Sequence, residues 1–176
     1  MHEVELKAWV DDFEFIKKKL EEMYEYKGAI HKFDKYMRKT GDNDILDKVF
    51  RIRVDNEGAV VGYKDKKRQS GVEINIENEF GVTDPDLFIQ LMEKMGFEVY
   101  VEKEKTGFLF KDSDYSIELM KIRGLGDFVE IEKILQNPDN NEIAASERGI
   151  RKILKEIGIK EEKIEPRYYI EMLLEK

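Results

Sequence analysis

The chain has 176 residues, no cysteine and a formal net charge of −8, and 40% of its residues are charged. This length suits one domain with its own core, so we expect a single domain over residues 1–176. The lack of cysteine excludes disulfides and thiolate metal sites, and the negative net charge argues against a nucleic-acid binder. We see no apolar run long enough to span a membrane and no signal peptide, so we expect a cytoplasmic protein that is not inserted in a membrane.

The first predicted strand, His2–Val10, alternates polar and apolar residues. Side chains of a strand point alternately to its two faces, so Glu3, Glu5 and Lys7 share one face and apolar residues share the other. Two interpretations of the charged face are open at this point. It is a solvated outer face, as in many antiparallel sheets, or its carboxylates bind a divalent cation while the lysine binds phosphate.

Helical spacing of apolar residues predicts helices in three parts of the chain. The first helix follows the N-terminal strand and ends by Gly28, and the second begins at Pro85 and ends at Gly96. Two helical stretches finish the chain, one reaching Ile157 and the other beginning near Pro166. The expected core stripe of the second helix consists of Leu87, Leu91 and Met95.

Further segments alternate in the manner of strands and are joined by turn-forming residues, including a polar loop at Thr40–Asp44. Helices do not alternate regularly with these strands, which argues against a doubly wound parallel sheet. We therefore predict an α+β fold with about eight mostly antiparallel strands. After the first, the predicted strands are His31–Lys39, Lys48–Asp55, Ala59–Lys66, Val72–Phe80, Phe97–Phe110, Tyr115–Ile122 and Asp127–Leu135.

One face of most predicted strands carries two like charges separated by one residue. These pairs are Glu3/Glu5, Arg51/Arg53, Glu77/Glu79, Lys103/Lys105 and Glu130/Glu132, with Lys7 and Lys64 alongside. A closed barrel turns one face of every strand inward, and a lumen lined in this way would offer carboxylates to cations and basic groups to a polyanion. Such a lumen suits a nucleoside triphosphate or polyphosphate with its metals, because arginine and lysine are the usual phosphate ligands.

At these residues the chain resembles the CYTH, or triphosphate tunnel metalloenzyme, superfamily. The superfamily signature Glu-x-Glu-x-Lys matches Glu3–Lys7, and the segment Gly124–Glu132 is a more specific match. The latter segment and Arg167–Leu173 look most like the class IV adenylyl cyclase branch. Other matching elements are Asp34–Tyr36, Phe50–Arg53, Gly62–Lys64, Glu77–Glu79 and Met95–Phe97.

The resemblance implies a closed eight-stranded antiparallel β-barrel with flanking helices, a triphosphate substrate and two Mg²⁺ or Mn²⁺ ions; it leaves a homodimer open. The implied catalytic residues are Glu5, Lys7 and Glu132. The implied metal ligands are Glu3, Glu5, Glu77, Glu79, Glu130 and Glu132. The implied triphosphate ligands are Lys7, Arg51, Arg53, Lys64, Lys103 and Lys105.

The sequence departs from the family pattern in three places. Lysine at position 105 replaces the usual arginine, and Glu73 and Asn75 stand where a basic residue is usual before Glu77. Met120 stands where the cyclase branch has an acid, and methionine can neither ligate Mg²⁺ nor accept a proton. Glu118 lies on the same predicted face of that strand.

Three functional hypotheses follow from these observations. The first is a class IV adenylyl cyclase-like enzyme that converts ATP to cyclic AMP and pyrophosphate. The second is hydrolysis of a terminal phosphate, as in thiamine triphosphatases and inorganic triphosphatases. The third, motivated by Met120, is a catalytically silent binder of nucleotide or polyphosphate.

Overall fold

The computed structural model describes residues 1–42, 48–69 and 71–176, with the side chain of Gln69 left out. Over these residues the chain forms eight β-strands, four α-helices and one short 3₁₀ turn. The strands are β1 His2–Trp9, β2 Glu25–Lys39, β3 Lys48–Asp55, β4 Gly58–Gln69, β5 Val72–Val82, β6 Phe97–Asp112, β7 Tyr115–Ile122 and β8 Gly126–Leu135. The helices are α1 Phe13–Met23, α2 Pro85–Lys94, α3 Asn140–Glu156 and α4 Tyr169–Leu174, and the 3₁₀ turn is Glu161–Lys163.

The strands close into an antiparallel barrel in the order β1-β5-β4-β3-β2-β6-β7-β8. The first strand closes it, because β1 pairs with β5 on one side and with β8 on the other. The predicted closed eight-stranded antiparallel barrel with flanking helices is therefore confirmed. In this order β2 lies four strands from β1 in either direction, so the two strands are on opposite walls.

The main hydrophobic core lies between the barrel and the helices. Val4, Leu6 and Ala8, the outward face of β1, are buried together with Leu20 of α1 and Ile150 of α3. Burial of large aliphatic side chains stabilises such a core by roughly 1.5–3 kcal/mol each. The charged residues that alternate with them on β1 are consequently turned toward the barrel lumen.

The ends of two predicted elements differ from expectation. Helix α1 ends at Met23 rather than near Gly28, and β2 already begins at Glu25 rather than at His31. The residues in between pair with the far end of β6, where the ring of Tyr26 lies 5.6 Å from that of Phe110. The polar loop predicted at Thr40–Asp44 includes Asn43 and Asp44, which lie outside the described residues.

The predicted core stripe of α2 was wrong. Leu87, Leu91 and Met95 are 50%, 49% and 69% exposed. Helix α2 has apolar residues on two sides, and it packs against the barrel with the side that carries Phe88, whose ring meets that of Phe50 at 6.1 Å. Aromatic contact with the barrel thus outweighs burial of the leucine stripe.

The C-terminal helix α4 lies across one end of the barrel. Residues before it extend the sheet, since the backbone N–H of Glu165 donates to the carbonyl of Lys7. Ile170 packs with residues of β2, β3 and β6, and Tyr169 packs with residues of β7 and β8. These strands span much of the barrel circumference, so α4 closes this end of the lumen. No helix among the described residues is long and apolar enough to cross a membrane.

Candidate functional site

Charged side chains from all the described strands meet inside the barrel. The predicted inward orientation of the charged faces is therefore confirmed, because the apolar residues between them pack outward. The central cavity is lined by Glu3, Glu5, Lys32, Tyr36, Val49, Arg51, Arg53, Lys64, Lys66, Glu73, Lys103, Lys105, Glu118, Glu130, Glu132, Tyr169 and Ile170.

Three carboxylates gather on the wall formed by β1 and β8. One oxygen each from Glu3, Glu5 and Glu132 lies within 4.8 Å of the others. Burial and then the nearby charge of Glu3 raise the pKa of Glu132 to about 8. Burial, followed by repulsion from Glu73 and Glu3, also raises the pKa of Glu5. Such a crowded set favours either bound protons or a bound cation.

Glu3 differs from its two neighbours because it has cationic and amide partners. Lys64 donates to its carboxylate at 2.5 Å and the amide of Asn75 at 3.3 Å. Burial would raise the pKa of Glu3, but attraction and hydrogen bonding to Lys64 outweigh it and lower the pKa to about 2. Glu3 therefore remains ionised at neutral pH and supplies permanent negative charge to this wall.

The remaining predicted metal ligands do not join the three-carboxylate group. Glu77 and Glu79 both accept from Arg51, at 3.1 and 2.8 Å. Glu130 accepts from Lys105 at 2.9 Å. These three carboxylates are thus engaged by cations, and their role as metal ligands stays a prediction.

A group of cations occupies the opposite wall, around the buried carboxylate of Asp34 on β2. Arg53 donates to Asp34 through two nitrogens, at 2.6 and 3.0 Å. The amino group of Lys103 lies 3.1 Å from the same carboxylate and a nitrogen of Arg51 lies 3.9 Å away. Burial lowers the pKa of Lys103 to about 8, although attraction to Asp34 opposes the shift.

Glu118 lies on the lumen face, as alternation predicted, and it is held by two lysines. Its carboxylate oxygens lie 2.5 Å from Lys32 and 2.8 Å from Lys105. Burial would raise its pKa, but attraction to Lys105 and Lys32 lowers it instead. A carboxylate with a lowered pKa and two lysine partners is a weak proton acceptor.

Lys7 pairs with Glu73 in the lumen, and Lys66 lies 3.5 Å from the other oxygen of Glu73. The amino group of Lys7 also lies 5.2 Å from the ring centre of Tyr169. Glu73 is thus the ion-pair partner of Lys7, which the sequence analysis predicted to bind phosphate. Lys7 would have to exchange this partner to bind a triphosphate.

The closed end of the lumen beneath α4 is apolar. Met120 is fully buried there, packed in one cluster with Phe128, Tyr169 and Met172. Trp9 packs on Phe128 at the same end, with ring centres 4.1 Å apart. Met120 is therefore part of the apolar contact between the barrel and α4.

The structure adds three cavity residues to which the sequence assigned no ligand role, Lys32, Lys66 and Glu73, and the buried Asp34, which pairs with Arg53 of the cavity lining. Alternation alone could have found Lys66, which lies two residues beyond Lys64 on the same strand face. Alternation also places Asp34 on the same face of β2 as Tyr36, which lines the cavity. The position of Tyr169 in the cavity lining could not be predicted from sequence, because it depends on how α4 packs over the barrel.

A closed antiparallel barrel whose inner face is lined by acidic and basic side chains defines a tunnel-type protein. Over residues 1–169 the chain matches the model of the CYTH domain. The chain belongs to the CYTH family.

Individual relatives agree with this assignment. A Methanocaldococcus jannaschii protein named "Putative adenylate cyclase" is 28% identical, with 98% of each chain covered. A solved protein of Pyrococcus horikoshii OT3 is 29% identical, with 98% of each chain covered and a TM-score of 0.87. A solved Hippeastrum protein, described as a "putative adenylyl cyclase" with a dominant triphosphatase activity, shares the fold at 17% identity, a TM-score of 0.69 and coverage of 99% and 95%.

Proposed function

We propose that the protein is a metal-dependent enzyme that acts on a triphosphate inside the barrel. The observation that carries the proposal is the separation of charge across the lumen. Glu3, Glu5 and Glu132 gather on the β1–β8 wall, and Arg53 and Lys103 lie on the opposite side around β2. A metal–polyphosphate ligand has the complementary separation, because its cations and its phosphate oxygens occupy different positions.

The three-carboxylate group fits Mg²⁺ or Mn²⁺. These hard cations prefer oxygen ligands, and Mg²⁺ is commonly held by one or two carboxylates together with substrate phosphates. Glu3, Glu5 and Glu132 would hold the cation, and the family resemblance supports a second ion. When bound, the metal would neutralise charge on the phosphate oxygens and lower the barrier to their displacement.

The basic residues would bind and orient the triphosphate. Arg51 and Arg53 supply planar donors for two-point contacts, whereas Lys64, Lys103 and Lys105 act as point charges. Each of these groups already has a carboxylate partner in the lumen. A triphosphate would bind the N–H groups that these pairs leave open and displace part of the carboxylates, and accompanying metal would compensate those that are released.

The family resemblance and the name of the M. jannaschii relative support an adenylyl cyclase-like reaction. In that reaction the 3′-oxygen of ATP bonds to the α-phosphorus, the bond to the β-phosphate oxygen breaks and pyrophosphate leaves. The 3′-hydroxyl proton needs an acceptor. Met120 cannot accept it and Glu118 is held by two lysines.

This lack of a free acid at β7 favours a second candidate, hydrolysis of the terminal phosphate, in which water attacks the γ-phosphorus. The Hippeastrum protein described as having a dominant triphosphatase activity has the same fold. A catalytically silent binder of nucleotide or polyphosphate is the third candidate. It predicts binding of the same ligands without turnover.

Product analysis distinguishes these reactions. The protein should be incubated with ATP, thiamine triphosphate or tripolyphosphate, each with Mg²⁺, with Mn²⁺ or with chelator, and cyclic AMP, pyrophosphate and orthophosphate should be measured. We expect metal-dependent turnover that Glu132→Gln abolishes and that Glu102→Gln, at an exposed position on β6, leaves unchanged. Turnover that persists in chelator or in Glu132→Gln would contradict the proposal.

A further inference from the structure

Asp34 lies on β2, between two of the strands that carry phosphate-binding candidates, β3 and β6. It is fully buried at 0% exposure on β2. Arg53 of β3 is its direct neighbour on one side and Lys103 of β6 is its direct neighbour on the other. One carboxylate therefore faces two cations across two adjacent strand pairs.

The contacts around Asp34 are directional. Arg53 uses Nε and Nη2 to reach its two oxygens, at 2.6 and 3.0 Å, and Lys103 reaches one oxygen at 3.1 Å. A guanidinium has five N–H groups and an ammonium has three. The pairing thus leaves three N–H groups on Arg53 and two on Lys103 for a ligand in the cavity that both residues line.

The charges in this group do not balance. Among the described residues, Arg53 and Lys103 both form their ion pairs within 4.0 Å with Asp34. Two buried cations that share one carboxylate leave excess positive charge, and uncompensated buried charge is costly. Lys103 carries part of this cost. Its pKa is lowered to about 8 by burial and by its cationic neighbours. An anionic ligand would complete the group.

We propose that Asp34 is a positioning residue that fixes Arg53 and Lys103 in the arrangement that recognises a triphosphate. The inference rests on the proposed function and deepens it, since it assigns selectivity for the length of the phosphate chain to a residue that need not touch the substrate. A two-point pair fixes the plane of the guanidinium, and fixed donors distinguish ligands by geometry. Mobile cations would bind anions by charge alone.

The first test compares wild-type protein with Asp34→Asn, and Asp127→Asn is the matched control. Asp127 makes the same kind of pair, 3.1 Å from Lys121, on the exposed surface. Calorimetry with Mg²⁺ should measure tripolyphosphate, pyrophosphate and orthophosphate binding. We expect Asp34→Asn to reduce the preference for tripolyphosphate over pyrophosphate by about tenfold, without weakening orthophosphate binding, because it removes negative charge but releases the arginine.

Steady-state kinetics provides a readout that loss of stability alone would not give. For the best triphosphate substrate, we expect Asp34→Asn to lower kcat per folded molecule by about 100-fold, the usual cost of misplacing reacting groups, while KM changes less than threefold. The folded fraction should be measured by circular dichroism. A variant that retains the wild-type phosphate-length preference and kcat would overturn the inference.

Arg53→Lys keeps the test decisive if Asp34→Asn does not fold. It retains the charge but removes the two-point pair, so it should lose the same selectivity. Where both variants fold, their effects should be strongly non-additive in the double variant, because both break one contact. Wild-type protein that binds no triphosphate would contradict the proposed function itself, whereas wild-type selectivity in Arg53→Lys would contradict only the role of Asp34.

Discussion

Glu5 and Glu132 lie directly opposite each other on the paired strands β1 and β8. Like charges at opposed positions of an antiparallel pair repel, and here the pair is inside the barrel next to Glu3. Both pKa values are raised, that of Glu132 to about 8. The arrangement is unfavourable for two free carboxylates and favourable for a shared proton or a divalent cation.

Metal binding should therefore release protons. At pH 7 the metal-free site retains a proton on Glu132, whose pKa is raised to about 8, and a cation binds the ionised carboxylates. Mn²⁺ affinity should increase from pH 6 to pH 8, with release of at least one proton per metal-binding event at pH 7. Calorimetric titration in two buffers of different ionisation enthalpy measures this release, and Glu132→Gln should reduce it. Binding without any buffer dependence would contradict the prediction.

Stability of the metal-free protein should fall at alkaline pH. Because the folded pKa of Glu132 exceeds its unfolded value, its stabilising contribution is complete below about pH 4.5 and is lost as pH rises through about 8. Thermal unfolding should therefore show a lower Tm at pH 8 than at pH 6, a range in which Lys103 changes its charge little, and saturating Mg²⁺ should reduce the difference. An equal Tm at both values in chelator would count against this pKa assignment.

Lys103 should set an alkaline limit on triphosphate binding. Its lowered pKa of about 8 means that it loses its charge above that pH, so tripolyphosphate affinity in saturating Mg²⁺ should fall between pH 8 and pH 9.5. Lys103→Arg keeps the positive charge across this range and should remove most of the fall. An identical decline in both proteins would assign it to another group.

Glu73 should compete with substrate for Lys7. Glu73→Gln removes the partner of Lys7 and reduces the negative charge near Lys66. We expect tighter tripolyphosphate binding together with a lower Tm, since breaking a buried ion pair costs on the order of 3–5 kcal/mol. Calorimetry and thermal unfolding measure the two effects. Unchanged affinity in folded Glu73→Gln would show that Lys7 does not bind the triphosphate.

The charged strands and their inward orientation could be predicted from sequence because alternation has a fixed period of two. Partner choice could not be predicted. Lys7 shows the difference, since its face was correct but its pairing with Glu73 depends on the register of β1 against β5, which brings Glu5 opposite Glu73. Glu77 is a second example, because the sequence did not show that it pairs with Arg51 instead of joining the three-carboxylate group.

The core stripe of α2 was predicted wrongly for another reason. Its sequence offers two apolar stripes, and periodicity does not say which of them meets the barrel. Phe88 contacts Phe50, whereas Leu91 is left 49% exposed. The sequence likewise identified Met120 only as a missing acid of the cyclase pattern. The position of α4 shows that Met120 is a packing residue.

Manganese located by anomalous scattering, in crystals grown with Mn²⁺ and tripolyphosphate, is the direct test of a metal–triphosphate site in the barrel. We predict a manganese peak at ligand distance from Glu3, Glu5 and Glu132, with the phosphate chain running from the metal toward Arg53 and Lys103. Glu102→Gln crystals should show the same peak, and Glu132→Gln crystals should show it weakened or missing. A lumen without manganese or phosphate in wild-type crystals, at concentrations that saturate calorimetric binding, would show that the barrel does not hold the metal–triphosphate site.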